Sequence, residues 1–323
     1  MLSPPEDLAH DLLTAAVTRH WGIAVAAAPY RPVGFGSHHW SVTDPGGGGW
    51  FVTVDDLQTT RRSAAESLDD AYWRLRAALD AARGLHEAGA AFVVAPVTTA
   101  GGQPIIRLTD RYAAAVYPLI EGESFGFGKY ADETHRDAVR NMLVAVHAAP
   151  DAVRLRAAED DLDVPHRDAL AAALDGAGVP DCGPYARPAA ELIARHAVTI
   201  GSLLSRYDDL AAGADRSRSV LTHGEPHPGN TLRTPDGWRL IDWDTALVAP
   251  PERDLWLLGG GFAAYTDATG IDVLPEMLEM YRLRWDIADL AVDVDRFRRP
   301  HPGDANDDET WAVLQTVVAG ISL

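Results

Sequence analysis

Residues 222–230 read Thr-His-Gly-Glu-Pro-His-Pro-Gly-Asn, and a short arginine-containing strand, a Pro235-Asp236-Gly237 turn and Ile241-Asp242-Trp243-Asp244 follow. Glu225 stands five residues before Asn230, and Asp242 comes twelve residues after that. These residue types at this spacing suit phosphoryl transfer from ATP. The Mg²⁺ that bridges the phosphates takes hard oxygen ligands in octahedral geometry, and a protein supplies only one or two of them. Here they would be the amide oxygen of Asn230 and the carboxylate of Asp242. A further carboxylate, Glu225, would face the acceptor hydroxyl, orient it and take its proton.

The spacing works only on a chain that folds back on itself. Ser219–His223 and Thr231–Leu240 read as short β segments, and Pro226, Pro228 and Gly229 keep the stretch between them out of helix. The turn Pro235-Asp236-Gly237 joins Thr231–Thr234 to Trp238–Ile241 as a hairpin, which returns Asp242 to the side of Asn230. His223 and His227 stand at i,i+4, a zinc-like spacing on a helix. The prolines forbid that helix, so His223 is expected to shape the loop instead.

Protein kinases place a catalytic-loop Asp five residues before a metal-binding Asn, with a second metal-binding Asp on the next hairpin. The segment also resembles the His-Gly-Asp-x-x-x-x-Asn and Ile-Asp-Phe/Trp motifs of the aminoglycoside phosphotransferase family, departing from them in carrying Glu225 where Asp is usual. Pro250-Pro251-Glu252-Arg253-Asp254-Leu255-Trp256 resembles that family's Gly-Asp-Pro-x-x-Asp-Leu segment. The resemblance implies that Asp254 opens a helix and buttresses the catalytic loop; a simple preference for acids at helix N-termini is the plain alternative. It implies a two-lobed α/β, protein-kinase-like fold, with ATP as donor and Mg²⁺ as cofactor. An aminoglycoside-like antibiotic is the acceptor that the family name suggests, with choline, a sugar or an amino alcohol as the rival. A catalytically silent kinase-like binding protein is the alternative from another class, although such a protein has no need of all three groups.

The remaining chain supplies the lobes. Residues 1–119 are expected to form a nucleotide-binding lobe and residues 120–323 a helical lobe with the catalytic loop and acceptor cleft. An amphipathic helix over 5–21 capped by Ser3, two strands and a glycine hairpin (Gly46–Gly49) leading to a third strand within 30–57, and a long helix over 61–88 come first. Strands at Phe92–Val97, Ile105–Leu108 and Tyr112–Leu119 follow, and the small lobe is expected to be built on a five-stranded sheet with the long helix. Helices are expected at 132–148, 165–176, 186–208, 252–267, 272–291 and 306–319, with Gly/Pro-rich loops at 175–188 and 299–305.

By the same resemblance, Gly34-Phe35-Gly36-Ser37 stands where the family covers the nucleotide phosphates. Glycine lets backbone N–H groups approach phosphate oxygens, and the Ser37 hydroxyl can donate to them. Tyr117-Pro118-Leu119-Ile120 resembles the hinge against which adenine lies, a plain edge strand being the other reading. On the third strand, Val52 and Thr53 would meet the nucleotide, and Thr53 stands where related kinases carry a phosphate-binding lysine. The chain's one lysine, Lys129, lies beyond the hinge. An arginine from elsewhere could serve, with Arg61, Arg62, Arg74 and Arg76 all open, or metal and backbone alone. Asp244, Glu252, Asp286 and Asp289 are the candidate acceptor-binding acids, Asp286 and Asp289 being i,i+3 neighbours on one helix.

A net charge of −19 argues against nucleic acid, whose phosphates it would repel, and suits a cationic acceptor as well as it suits mere solubility. No run of eighteen apolar residues and no basic-then-apolar leader stands in the chain, so neither membrane nor secretion is indicated. The lone cysteine, Cys182, makes no internal disulfide, which fits the cytoplasm. Oligomeric state is not legible here.

Overall fold

The computed structural model describes residues 1–34, 36–179 and 181–321. Phe35 of the glycine loop and Pro180 of the 175–188 stretch lie outside them. The chain opens with α1 (His10–Trp21), β1 (Tyr30–Arg31), β2 (Ser37–Thr43), β3 (Gly49–Asp56), α2 (Leu68–Glu87), β4 (Ile106–Arg107) and β5 (Tyr112–Pro118). The strands form one antiparallel sheet in the order β1-β2-β3-β5-β4. Period-two alternation splits its faces. Val52, Val54, Ala114 and Val116 share a core with Leu13 and Val17 of α1. Ala113 and Ala115 share another with Ala71, Leu75 and Leu79 of α2.

Three expectations for this half are corrected. α1 starts at His10, not at residue 5 under a Ser3 cap, because Pro4 and Pro5 disfavour helix at the residues before them and remove two amide donors. The segment is held instead by the Tyr30 hydroxyl, which donates to the carbonyls of Met1 and Ser3. α2 starts at Leu68 instead of 61, because Ser67 and Asp70 form a reciprocal capping box that sets the first turn. Residues 92–97 form no strand. Pro96 interrupts them, and their amides are divided between Leu240 and Val116, so the segment ties the sheet to the hairpin that carries the site.

The second half contains β6 (Glu123–Ser124), α3 (Glu133–His147), α4 (Asp151–Arg154), α5 (Arg167–Leu174), α6 (Ala186–Arg195), α7 (Ala197–Ala212), β7 (Val220–Thr222), β8 (Thr231–Thr234), β9 (Gly237–Leu240), β10 (Leu247–Ala249), α8 (Glu252–Leu258), α9 (Phe262–Thr269), α10 (Pro275–Phe297) and α11 (Ala305–Ile321). β6, β8 and β9 form a small sheet, and β7 pairs with β10. The expected helix over 186–208 is two, broken at His196, which ends α6 and begins α7. The expected helix over 252–267 breaks at Gly259, Gly260 and Gly261, all at positive φ where glycine is favoured. α10 runs to Phe297, six residues past its expected end, because Val294 and Phe297 still face the main helical core. The whole is a two-lobed, protein-kinase-like α/β fold. Among the described residues no helix is long and apolar enough to cross a membrane.

Candidate active site

β7 delivers the catalytic loop, and Asp254, fully buried in the first turn of α8, receives it. Its carboxylate accepts the backbone N–H groups of His223 (2.9 Å) and Gly224 (2.6 Å) and lies 3.0 Å from Nε2 of His147. The other ring nitrogen of His147 is 2.8 Å from the Tyr265 hydroxyl. Burial alone would raise the pKa of Asp254. The His147 bond, with the neighbouring His223 and Arg253, outweighs it and holds the group below the ordinary carboxylate range. Asp254→Ala is expected to cost about 3–5 kcal/mol, since it strands three buried donors. A fall in the urea midpoint with the slope unchanged checks it; an unmoved midpoint refutes the buttress.

The next residues are held as tightly. Gly224 has φ +103°, and a Cβ there would fall 2.5 Å from the Arg253 guanidinium. That guanidinium donates to the Thr222 hydroxyl and the Thr245 carbonyl, both at 2.8 Å. His223 lies 2.9 Å by Nε2 from the Ile241 carbonyl, while its Nδ1 accepts the Glu225 N–H at 3.2 Å. Burial pushes His223 down to about 4, so it stays neutral, as these two opposite roles require. The Asn230 amide nitrogen donates to the Glu225 carbonyl at 3.0 Å, committing one end of the side chain to the loop and leaving Oδ1 as an acceptor. The Asn230 carbonyl accepts the Ile241 N–H at 3.0 Å, and a two-residue turn closes β8 onto β9. Hairpin and loop therefore meet as the sequence spacing requires.

Trp243 is buried and donates to the Leu240 carbonyl, which turns Asp242 and Asp244 outward on either side of it. Asp242 adopts φ +67°, a left-handed conformation that Asp tolerates better than most residues. It is open to the cleft, and about a third of Glu225 is accessible (34%). The surrounding walls still favour their neutral forms. Burial raises Asp242 well above its usual pKa, with the charges of Asp244, Glu225 and Asp55 adding to it. Glu225 is pushed up to about 7 by burial, then Asp244 and Asp289, and Asp55 to about 7 by burial, against the lowering bond from Ser37. A divalent cation between Asp242 and Asn230 would relieve this repulsion, so the donor set fits Mg²⁺. Among the described residues no group of three His, Cys, Asp or Glu side chains forms a metal cage. Mg²⁺ sites in kinases need only one or two protein ligands beside the phosphates.

On the sheet side, Phe51, Thr53 and Asp55 share the β3 face opposite to Val52. Val52 is corrected: it is fully buried in the core beneath α1 and cannot line the cleft. Gly34 and Gly36 both have positive φ, and the Ser37 hydroxyl donates to Asp55 at 2.6 Å. Tyr117 lies opposite Phe51 on this face. Leu119 is half exposed, with its N–H donated to the Gly49 carbonyl at 3.2 Å. Gly46–Gly49 is the hairpin tip, wrapped by the Asp44 side chain. A surface cavity of about 410 Å³, lined among others by Arg83, His86, Pro118 and Arg239, opens beside the hinge and holds none of the site carboxylates.

The proposed acceptor acids divide. Glu252 is corrected: fully buried, it accepts the Arg218 guanidinium and the Leu274 N–H, both at 2.9 Å, and so anchors the start of α10. Asp244 sits in the carboxylate cluster beside Asp242. Asp286, paired with Arg282 at 3.0 Å, and Asp289 lie on α10, where Asp293 continues their row. Burial, with the neighbouring acid adding to it, pushes Asp289 up to about 7 and Asp293 to about 8. Trp285 stands between Phe127 (centroids 6.1 Å apart) and Trp256 (5.5 Å) at this end of the cleft. The sequence reading missed Asp55, Asp293 and His147. Strand alternation placed Asp55 with Thr53, and i,i+4 spacing placed Asp293 with Asp289; nothing local marked His147.

The phosphotransferase enzyme family model matches residues 29–292. Protein StrN of Streptomyces griseus is 34% identical over 246 residues, covering 71% of this chain and 72% of StrN. Spectinomycin phosphotransferase APH(9)-Ia, solved with ADP and spectinomycin, superposes with a TM-score of 0.74 at 18% identity over 98% of both chains. Choline kinase LicA of Streptococcus pneumoniae superposes with a TM-score of 0.59 at 14% identity, over 97% of this chain and 98% of LicA. The chain belongs to the phosphotransferase enzyme family, the aminoglycoside phosphotransferase family its motifs resemble, and it is a phosphotransferase.

Proposed function

We propose that this protein transfers the γ-phosphoryl group of ATP, with Mg²⁺, to a hydroxyl of a small cationic molecule. The observation that carries this reading is the convergence of Glu225, Asn230 and Asp242 on a loop locked by Asp254. Mg²⁺ held there would supply positive charge that offsets the charge of the phosphates. Asp242 and Oδ1 of Asn230 would hold it. Glu225 would orient the acceptor hydroxyl and accept its proton as the oxygen attacks phosphorus. Gly34, Gly36 and Ser37 would cover the phosphates, and Thr53, Tyr117 and Leu119 would flank the adenosine end.

Asp286, Asp289 and Asp293 form an acidic row that a bound cation would draw into its ionised form, which favours an aminoglycoside-like polyamine. The Trp285 and Phe127 rings favour a second reading, a choline-like or amino-alcohol acceptor held by cation–π contact. The end of β5 at Pro118, before β6 joins the β8–β9 sheet, supports a lobe boundary between residues 119 and 120. The cytoplasm, where ATP is abundant, is the proposed setting. Calorimetric titration of ATP with and without Mg²⁺ tests the reading, and metal-independent or absent binding would favour a silent binding protein. A phosphate-transfer screen over cationic antibiotics and amino alcohols then separates the two acceptor classes.

A further inference from the structure

We propose that Arg74 of α2 takes over the work of the missing strand lysine and holds the non-transferred phosphates of the nucleotide. The proposal rests on the phosphotransfer reading above and deepens it. Thr53 occupies the lysine position on β3 and lies opposite Ala115, which shares a core with Leu75 and Leu79 of α2. The strand face that should carry a cation is therefore the face against which α2 packs.

Arg74 sits one turn before Ala78. Ala78, Ala81, Ala82 and Leu85 belong to the same core as Trp243 and Ala246, so this stripe of α2 faces the segment that bears Asp242 and Asp244. Four residues towards the N-terminus, the same stripe places Arg74 over the cleft.

The guanidinium is already oriented. Nε and Nη2 donate to the two carboxylate oxygens of Glu66 at 3.2 and 3.3 Å, and Nη2 also donates to the Thr60 carbonyl at 2.7 Å. Among the described residues Nη1 has no hydrogen-bond partner, and the side chain keeps 26% of its surface accessible. One edge is thus locked by a carboxylate and one nitrogen, with two N–H groups, is left for a ligand. This repeats the logic of a lysine steadied by a helix glutamate, with the cation moved from strand to helix and the carboxylate to the loop before it.

The other three arginines are committed elsewhere. Arg62 forms a bidentate pair with Asp161, both bonds at 2.7 Å, and donates to the Asp163 carbonyl. Arg76 pairs with Asp80 and covers the Trp73 ring. Arg61 donates to the carbonyls of Ala64 and Glu66, and its charge acts on Asp295 of α10.

Calorimetry of Mg·ADP and of adenosine against the wild type, Arg74→Ala, Arg74→Lys and Arg76→Ala tests the assignment. Arg74→Ala is expected to weaken ADP binding roughly 10- to 100-fold, the range for losing hydrogen bonds to a charged group, while adenosine affinity holds. Arg74→Lys should recover part of the loss, and Arg76→Ala should match the wild type. Unchanged ADP affinity in Arg74→Ala overturns the proposal. Equal loss of ADP and adenosine also overturns it, by showing that the Glu66–Arg74–Thr60 latch serves only to hold the lobe together. A wild type that binds adenosine but gains nothing from the phosphates of Mg·ADP would remove the phosphotransfer reading itself, and this proposal with it.

Discussion

Asp242→Ala is expected to abolish phosphoryl transfer, by about 10³-fold or more, and to erase the Mg²⁺ dependence of nucleotide binding. The magnitude follows from losing a metal contact that supplies several kcal/mol of charge stabilisation, at tenfold in rate for each 1.4 kcal/mol or so. The same change should leave the fold nearly as stable as before, because two effects oppose each other. Alanine at φ +67° costs about 1–2 kcal/mol. Against that, removing one member of a crowded set with Asp244, Glu225 and Asp55 relieves like-charge repulsion. Asp242→Asn separates the two, since Asn tolerates the left-handed conformation and lacks the charge. It should lose turnover as fully while unfolding no earlier than the wild type. Either variant turning over at near-wild-type rate, in a product assay with Mg²⁺ varied, would show that the metal lies elsewhere.

Glu225→Gln is expected to lower kcat by about 10²- to 10⁴-fold, the usual contribution of a positioned base, with Mg·ATP affinity unchanged. Gln preserves the length of the side chain and removes only its ability to take the acceptor proton. Glu225→Asp is the more telling change, because Asp is the residue usual in the family. It withdraws the carboxylate by one methylene, about 1.5 Å. The backbone cannot follow, since the Glu225 N–H is donated to His223 and its carbonyl receives the Asn230 amide. Glu225→Asp should therefore lose most activity too, and steady-state kinetics with a working acceptor would show it. If the aspartate variant works as well as the wild type, the loop adjusts and the longer side chain has no positional role.

Glu225, Asn230 and Asp242 span eighteen residues, and prolines and a two-residue turn dictate the path between them. Asp254 was legible for the same reason: a motif a dozen residues further on opens a helix that must pack against the loop. Where several distant segments meet, the reading went astray. Val52 and Thr53 are adjacent, yet only α1 on one face of the sheet and α2 on the other decide which of them sees the cleft. Glu252 looked like a ligand for a cationic acceptor until Arg218 and the Leu274 amide closed around it. Residues 92–97 have strand-like composition, but Pro96 and partners from two sheets leave them a connector.

By itself the sequence determined the order and path of the loop and hairpin and their kinase-like frame, because spacing, prolines and turns act over a few residues and need no distant partner. Only the tertiary structure decided which side chains of the small lobe share the Thr53 face of the sheet, which proposed acceptor acid is locked in a buried pair, and which arginine of α2 keeps one edge free among the described residues. Those outcomes depend on helix faces and sheet faces meeting across more than a hundred residues, where burial and charge are properties of the assembled core.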